Sequence, residues 1–149
     1  MAVTFLHIAD THIGVETYGR LDPATGLNTR VLDFTACLEY AFDEAIERQV
    51  DFVVFSGDAY KACDPSATHQ RQLAICVHRL SSAGIPLVIV IGNHDAPVAF
   101  GKANSVDIFR TLGTKGVHAA DSDCIIDLDT RSGPVQVACQ PWLHRSHLL

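Results

Sequence analysis

Three apolar runs of strand length recur along the chain, and each run ends in polar residues of the metal-ligand type. Residues 3–9, 51–56 and 86–91 are nearly continuous in apolar and β-branched side chains, which is typical of strands covered on both faces. In an open parallel sheet the carboxyl ends of the strands line the crevice where ligands bind. The pattern therefore predicts that polar residues distant in sequence converge at one edge of a sheet.

Between the strands the hydrophobic period becomes helical. Residues 29–49 repeat apolar positions at three- and four-residue steps, which predicts an amphipathic helix. A second helix is expected to start with Asp64 as N-cap and Pro65 as first helical residue, and to stop at Gly84. A short helix is expected over 106–112. Residues 14–28 are rich in Gly, Asp, Pro, Thr and Asn and predict a long loop.

The last part of the chain carries short β segments. Residues 116–119, 124–128 and 135–138 alternate with turn residues and predict strands. The order βαβαβα followed by β strands predicts an α/β fold whose parallel sheet has right-handed crossovers and helices on both faces. A length of 149 residues fits a single domain over 1–149.

Composition excludes some classes of protein. Hydrophobic residues make up 48% and charged residues 19%, which indicates a globular chain. No apolar run has the length of a membrane span, so no membrane partner is expected. The first residues lack the basic region of a secretory signal. Five cysteines without a Cys-x-x-Cys pair argue against a disulfide framework and favour a reducing, cytoplasmic location.

The formal charge of −6 weighs against nucleic-acid binding by bulk electrostatics. Carboxylates that ligate divalent cations are counted in that charge without the ions that neutralise them. Net charge therefore leaves a phosphate substrate open.

The polar residues at the three strand ends suit a divalent cation that handles phosphate, because such ions prefer carboxylate, amide and imidazole ligands. Asp10 and His12 are two residues apart, so both can reach one cation. Asp58 has two oxygens with which to bridge two cations, and Asn93 offers a neutral amide oxygen. His94 can face the substrate. Two cations roughly 3.5–4 Å apart would activate a water and neutralise charge on the phosphate.

Three motifs resemble those of the calcineurin-like metallophosphoesterase superfamily: Asp10-Thr11-His12, Gly57-Asp58 and Gly92-Asn93-His94-Asp95. More narrowly, residues 7–14 and 57–66 are similar to the SbcD nuclease subunits of bacterial SbcC–SbcD complexes. The resemblance implies a β-sandwich with flanking helices, two manganese ions, and exonuclease and endonuclease cleavage of DNA in repair and recombination. It also implies an SbcC-like ATPase partner and a possible homodimer.

The same resemblance assigns roles to individual positions. Asp10 and His12 would hold the first metal, Asp58 would bridge, and Asn93 would hold the second. His94 would steady the transition state or protonate the leaving oxygen. Apart from the resemblance, Asp95 is expected to fix His94 or its loop and not to bind a metal.

Two departures from the family pattern stand out. The family draws further histidine ligands from a downstream lone histidine and a Gly-His-x-His motif, which His144 and His147 do not fit. We therefore expect a truncated, N-terminal portion of the fold that by itself binds metal poorly and cleaves nothing. Many relatives also have Asp or His at the position of Lys61, where it orients the catalytic imidazole. Lysine cannot accept a hydrogen bond, so either Lys61 contacts phosphate or Asp64 takes over the orienting role.

Two further residues are weaker candidates. His7 is expected to be a core histidine or one that supports a ligand. Arg20 borders the long loop, where it would either meet a DNA strand or lie in solvent.

Three functions stay open at this stage. A metal-dependent DNA nuclease subunit is the first. A metallophosphoesterase acting on phosphoproteins, cyclic nucleotides or phosphomonoesters would show the same three motifs. A non-catalytic docking or dimerisation fragment would explain the missing histidines.

Overall fold

The order of helices and strands agrees with the pattern of the sequence. The structure is a computed structural model that describes residues 2–97, 99 and 101–143. Its elements are β1 (Phe5–Ile8), α1 (Thr29–Glu47), β2 (Phe52–Phe55), α2 (Ala67–Ser82), β3 (Leu87–Val90), α3 (Asp107–Thr111), β4 (Val117–Ala120), β5 (Cys124–Thr130) and β6 (Gly133–Cys139). This is the expected βαβαβα arrangement followed by β strands. None of the helices in the described ranges is long and apolar enough to cross a membrane.

Strands β1 to β4 form one parallel sheet in the order β1-β2-β3-β4. Each crossover moves in the same direction along this sheet, so right-handed connections place every helix on the same face. All three helices contribute to one hydrophobic cluster with that face. The prediction of helices on both faces is therefore wrong. The antiparallel pair β5-β6 covers the other face instead.

The alternation of strand side chains explains why the apolar runs are continuous. In β2, Val53 and Phe55 pack against the helices, whereas Phe52 and Val54 pack against the β5-β6 pair. On that second face Leu128 and Cys139 close the core. Both faces of β2 are thus covered, once by helices and once by strands, which gives the layered α/β arrangement with flanking helices that the resemblance implied.

The start of α2 differs from the expectation. Ser66 is the N-cap: its backbone is extended, and its hydroxyl oxygen accepts a hydrogen bond of 3.2 Å from the backbone N–H of His69. The prediction of Asp64 as N-cap and Pro65 as first helical residue was two residues early. A serine hydroxyl caps a helix as well as a carboxylate does, so both positions carried the same local signal. The helix ends at Ser82, and Gly84 follows with φ +73°, as expected for a left-handed stop.

Candidate metal centre

The segments that follow β1 and β2 stay paired beyond the ends of the strands. The backbone N–H of Asp10 donates to the carbonyl of Gly57 (3.1 Å), and the N–H of His12 donates to the carbonyl of Asp58 (3.0 Å). This pairing holds Asp10 and His12 beside Asp58 although they are distant in sequence. The predicted convergence of the first two motifs at one edge of the sheet is thereby observed.

The turn after β3 is attached to the same place. The backbone N–H of His94 donates to Oδ1 of Asp58 at 2.9 Å. Gly92 lies so close to that carboxylate that a Cβ on it would fall 2.1 Å from the same oxygen. Only glycine fits there, because any side chain would displace Asp58. The third motif therefore closes around the second.

The side chains form a compact group of nitrogen and oxygen donors. Nε2 of His12 lies 3.5 Å from Oδ1 of Asp10 and 3.8 Å from Oδ2 of Asp58. One ligand atom from each of His12, Asp58 and His94 lies within 4.8 Å of the other two. Donors about 2.1 Å from one octahedral ion are roughly 3 Å apart when adjacent and roughly 4.2 Å apart when opposite. The distances of 3.5 and 3.8 Å from His12 fall between these two values, so His12 can share a divalent cation with either carboxylate.

Three of these residues have unusual backbone conformations. Asp10, His12 and Asp58 have φ values of +59°, +43° and +55°. Few residues other than glycine adopt this left-handed region, although Asp and His do so more often than most. Backbone strain of this kind clusters at functional sites and persists only where the surroundings enforce it. Here the interstrand hydrogen bonds of Asp10 and His12 enforce it.

Asp95 is a buried residue whose side chain holds two turns of the site together. It is fully buried (0% exposed). Its Oδ2 accepts hydrogen bonds from the backbone N–H of Asp58 (2.7 Å) and of Gly92 (3.1 Å). Its Oδ1 accepts from the backbone N–H of Tyr60 at 3.3 Å. One carboxylate thus joins the turn after β2 to the turn after β3. Burial, and then the nearby Asp95, raise the pKa of the Tyr60 hydroxyl.

The ring of His94 is oriented by a backbone group. Its Nδ1 lies 2.8 Å from the carbonyl oxygen of Lys61. A carbonyl only accepts hydrogen bonds, so Nδ1 is assigned the proton and Nε2 is left for a ligand or substrate. Of the two alternatives for this part of the site, the orienting role of Asp64 is not observed, because Asp64 is exposed and borders a separate depression beside α3. The group that orients His94 is the backbone carbonyl of Lys61. Because every residue has a backbone carbonyl, no residue type at position 61 could indicate this contact.

Family comparison agrees with this geometry. The sequence model of the calcineurin-like phosphoesterases matches residues 3–140. The chain belongs to the calcineurin-like phosphoesterase family. This family consists of hydrolases that bind divalent metals, and the donor group of His12, Asp58 and His94 is a site suited to such an ion.

The phosphoesterase is also similar to curated proteins. It is 32% identical over 108 residues to the DNA double-strand break repair protein Mre11 of Thermoplasma acidophilum, covering 72% of this chain and 27% of that protein. It is 32% identical over 115 residues to Mre11 of Archaeoglobus fulgidus, covering 74% and 24%. A metallophosphoesterase of Bacillus subtilis, YhaO, is 31% identical over 94 residues, covering 62% and 23%. The chain thus spans about a quarter of the length of these relatives.

The weaker candidates of this phosphoesterase lie outside the donor group. His7 is exposed, so its alternative as a core histidine is wrong. Its Nε2 lies 2.7 Å from the hydroxyl of Ser56, and its alternative as a residue that supports a ligand stays a prediction. Arg20 is exposed and borders a separate depression beside His69. His144 and His147 lie outside the described residues.

A groove of about 740 Å³ opens beside the donor group. Its lining includes polar residues, namely Asp10, Ser56, Asp58 and Asn93, and apolar residues, among them Val54, Val90, Val137, Trp142 and Leu143. Asn93 is exposed. Sequence reasoning missed Trp142, although it is the only tryptophan of the chain.

Proposed function

We propose that this chain carries the metal-binding half of a DNA nuclease that hydrolyses phosphodiester bonds. In this proposal Asp10 and His12 hold one divalent ion, Asn93 holds a second, and Asp58 bridges them. The observation that carries the proposal is the position of the His12 ring between the carboxylates of Asp10 and Asp58, with His94 beside it. Manganese is the proposed ion, because the resemblance to the SbcD nucleases implies it and the carboxylate and amide oxygens of the site suit it.

The chemistry follows from the donor atoms. When bound, the two cations supply Lewis-acid activation of water and offset the charge of the phosphate. The residues of the chain do the rest. The bond from Nδ1 of His94 to the Lys61 carbonyl fixes the plane of the ring. In the imidazolium form, which carries a proton on both nitrogens, Nε2 can protonate the leaving oxygen or donate a hydrogen bond to the phosphate. Lys61 is exposed on the loop after β2, and we assign its ammonium group to phosphate contact.

The DNA substrate is supported by the names of the relatives, several of which are DNA double-strand break repair proteins. We extend the proposal to exonuclease and endonuclease action in repair and recombination in the cytoplasm, with an SbcC-like ATPase partner and a homodimer. These are properties of a whole protein, and the chain covers about a quarter of the length of its relatives.

The test is manganese-dependent cleavage of a labelled linear DNA duplex, measured with the 149-residue chain and with the full open reading frame that contains it. Asp58→Ala should abolish metal binding, because the proposed bridge touches both ions. Although His94 lies within the same donor group, His94→Ala should keep metal binding, because the proposal assigns both ions to other residues. It should lower turnover by roughly 10²–10⁴-fold, the range for a general acid or base. Asp129→Ala is the matched control, because this exposed carboxylate lies at the opposite edge of the sheet.

The outcomes separate the alternatives. Equal loss of metal affinity in His94→Ala and Asp58→Ala would overturn the division of roles. Hydrolysis of phosphopeptides, cyclic nucleotides or phosphomonoesters without DNA cleavage would favour a phosphoesterase with another substrate. A stably folded protein that cleaves none of these substrates would favour a non-catalytic docking or dimerisation fragment.

A further inference from the structure

The groove beside the donor group is lined by polar and by apolar residues. Trp142 is one of the apolar residues, and its backbone N–H donates to the carbonyl of Ile91 at 2.9 Å, at the end of β3. Ile91 is followed directly by Gly92 and Asn93. The hydrogen bond therefore fixes Trp142 within a few residues of the predicted metal ligand Asn93.

The exposure of Trp142 calls for an explanation. The side chain lines the groove, yet the residue is 56% exposed. In contrast, the neighbouring Pro141 is buried and Cys139 belongs to the core. The segment is thus well anchored, and its largest apolar side chain is left open to the groove. An anchored, exposed aromatic side chain is a surface on which a flat ring can stack.

We infer that Trp142 is a stacking platform for a nucleobase whose phosphate lies at the donor group. This inference rests on the proposed function, because it takes the phosphodiester to be that of a nucleic acid. A nucleotide presents an anionic phosphate and an aromatic base on the same molecule. The lining of the groove includes both carboxylate and amide donors for cations and the indole of Trp142. These two kinds of lining group match the two parts of a nucleotide.

This assignment specifies the form of the substrate. A base in the interior of a duplex is stacked on both faces and cannot stack on a protein side chain, so the base on Trp142 is unpaired or lies at the end of a strand. Base–aromatic stacking tolerates any sequence, because every base has a π-face. Trp142 therefore selects single-stranded or frayed ends next to the cleaved bond, without selecting a base sequence.

Trp142 is the only tryptophan of the sequence, so its intrinsic fluorescence reports on this position alone. We would titrate the protein with a thymidine tetranucleotide and with a tetranucleotide backbone of the same charge whose sites are all abasic. Manganese would be present, and a His94→Ala background would suppress turnover. Stacking should quench indole fluorescence with the base-containing strand and leave it unchanged with the abasic strand.

Variants give a second readout by fluorescence anisotropy of a dye-labelled strand. Trp142→Ala should weaken binding of the base-containing strand by roughly 5- to 100-fold, as expected for one lost stacking partner. It should leave the abasic strand unchanged. Trp142→Tyr should restore most of the affinity and Trp142→Leu should not, because leucine is apolar but has no π-face. Tyr40→Ala is the matched control, since Tyr40 is a 69% exposed aromatic residue on α1.

Two results would overturn the inference. One is equal weakening of both strands by Trp142→Ala, which would indicate a structural role. The other is indole emission that does not respond to the base-containing strand, as when another part of the protein covers Trp142. The nuclease proposal fails separately: absence of metal-dependent cleavage with base-dependent quenching intact would leave a nucleotide-binding site, whereas cleavage without quenching would remove only the stacking role.

Discussion

Replacement of Asp95 by asparagine perturbs the point at which two of the three motifs are joined. The buried carboxylate accepts five hydrogen bonds, from the backbone N–H groups of Asp58, Ala59, Tyr60 and Gly92 and from the hydroxyl of Ser105. Three of these bonds reach Oδ2, and two reach Oδ1. Asparagine keeps the shape of the side chain but turns one of the two acceptors into a donor.

The orientation of the new amide follows from its neighbours. Its oxygen should keep the Oδ2 position, because three N–H donors converge there. Its NH₂ group then faces Ser105, whose hydroxyl can turn to accept, and the N–H of Tyr60, which loses its partner. One orphaned buried donor costs about 1–3 kcal/mol, and the remaining bonds lose the assistance of a charge. Together these losses should lower the free energy of unfolding by roughly 3–5 kcal/mol. That is a large share of the roughly 5–15 kcal/mol by which a typical domain is stable.

Urea unfolding followed by far-UV circular dichroism measures this loss, and calorimetric titration with Mn²⁺ measures its effect on the site. Metal affinity should fall as well, because the bond from Asp95 holds the backbone of Asp58 in its left-handed conformation. Asp129→Asn, which changes an exposed carboxylate, should stay within about 0.5 kcal/mol of the wild type. A loss below about 1 kcal/mol in Asp95→Asn, with unchanged metal affinity, would refute the reasoning.

Three other predictions follow from single contacts. Gly92→Ala should lower Mn²⁺ affinity in calorimetry by roughly 10–100-fold, since its Cβ would collide with the Asp58 carboxylate; wild-type affinity would contradict this. Hydrogen bonding, first from the Thr4 N–H, lowers the pKa of Asp51 below 3.8, so its stabilisation is complete above that pH and is lost as the pH falls through the folded-state pKa. The advantage of wild type over Asp51→Asn in urea unfolding should shrink below pH 3.8, and an advantage constant with pH would refute it. Burial raises the pKa of Cys76 to about 12, so iodoacetamide at neutral pH should label exposed Cys37 and spare Cys76 until urea is added; equal labelling rates would refute this.

The convergence of the motifs could be predicted because two general rules determine it. Continuous apolar runs indicate buried parallel strands, and such strands end at one edge of a sheet. Asp10, His12 and Asp58 follow their strands directly, so their meeting needed no knowledge of side-chain packing. The layers were harder to predict. The run 51–56 indicates that both faces of β2 are covered, yet nothing within it distinguishes a helix from the β5-β6 pair as the cover.

The features that could not be predicted are backbone features. The carbonyl of Lys61 orients His94, and any residue at that position would present the same acceptor. Likewise, Asp64 and Ser66 carry equivalent capping signals, and only the path of the loop into α2 selects Ser66.

The left-handed residues show why such features gather at the donor group. At Asp10, His12 and Asp58 local preference opposes the observed backbone, so the conformation depends on partners distant in sequence. Those partners are the carbonyls beyond β2 for the first two residues and the Asp95 carboxylate for the third. The hydrogen bonds that hold the three strand ends together are therefore also those that aim the ligands. Fold stability and metal affinity should for this reason respond together to changes beneath the site, and separately to changes at its surface such as His94→Ala.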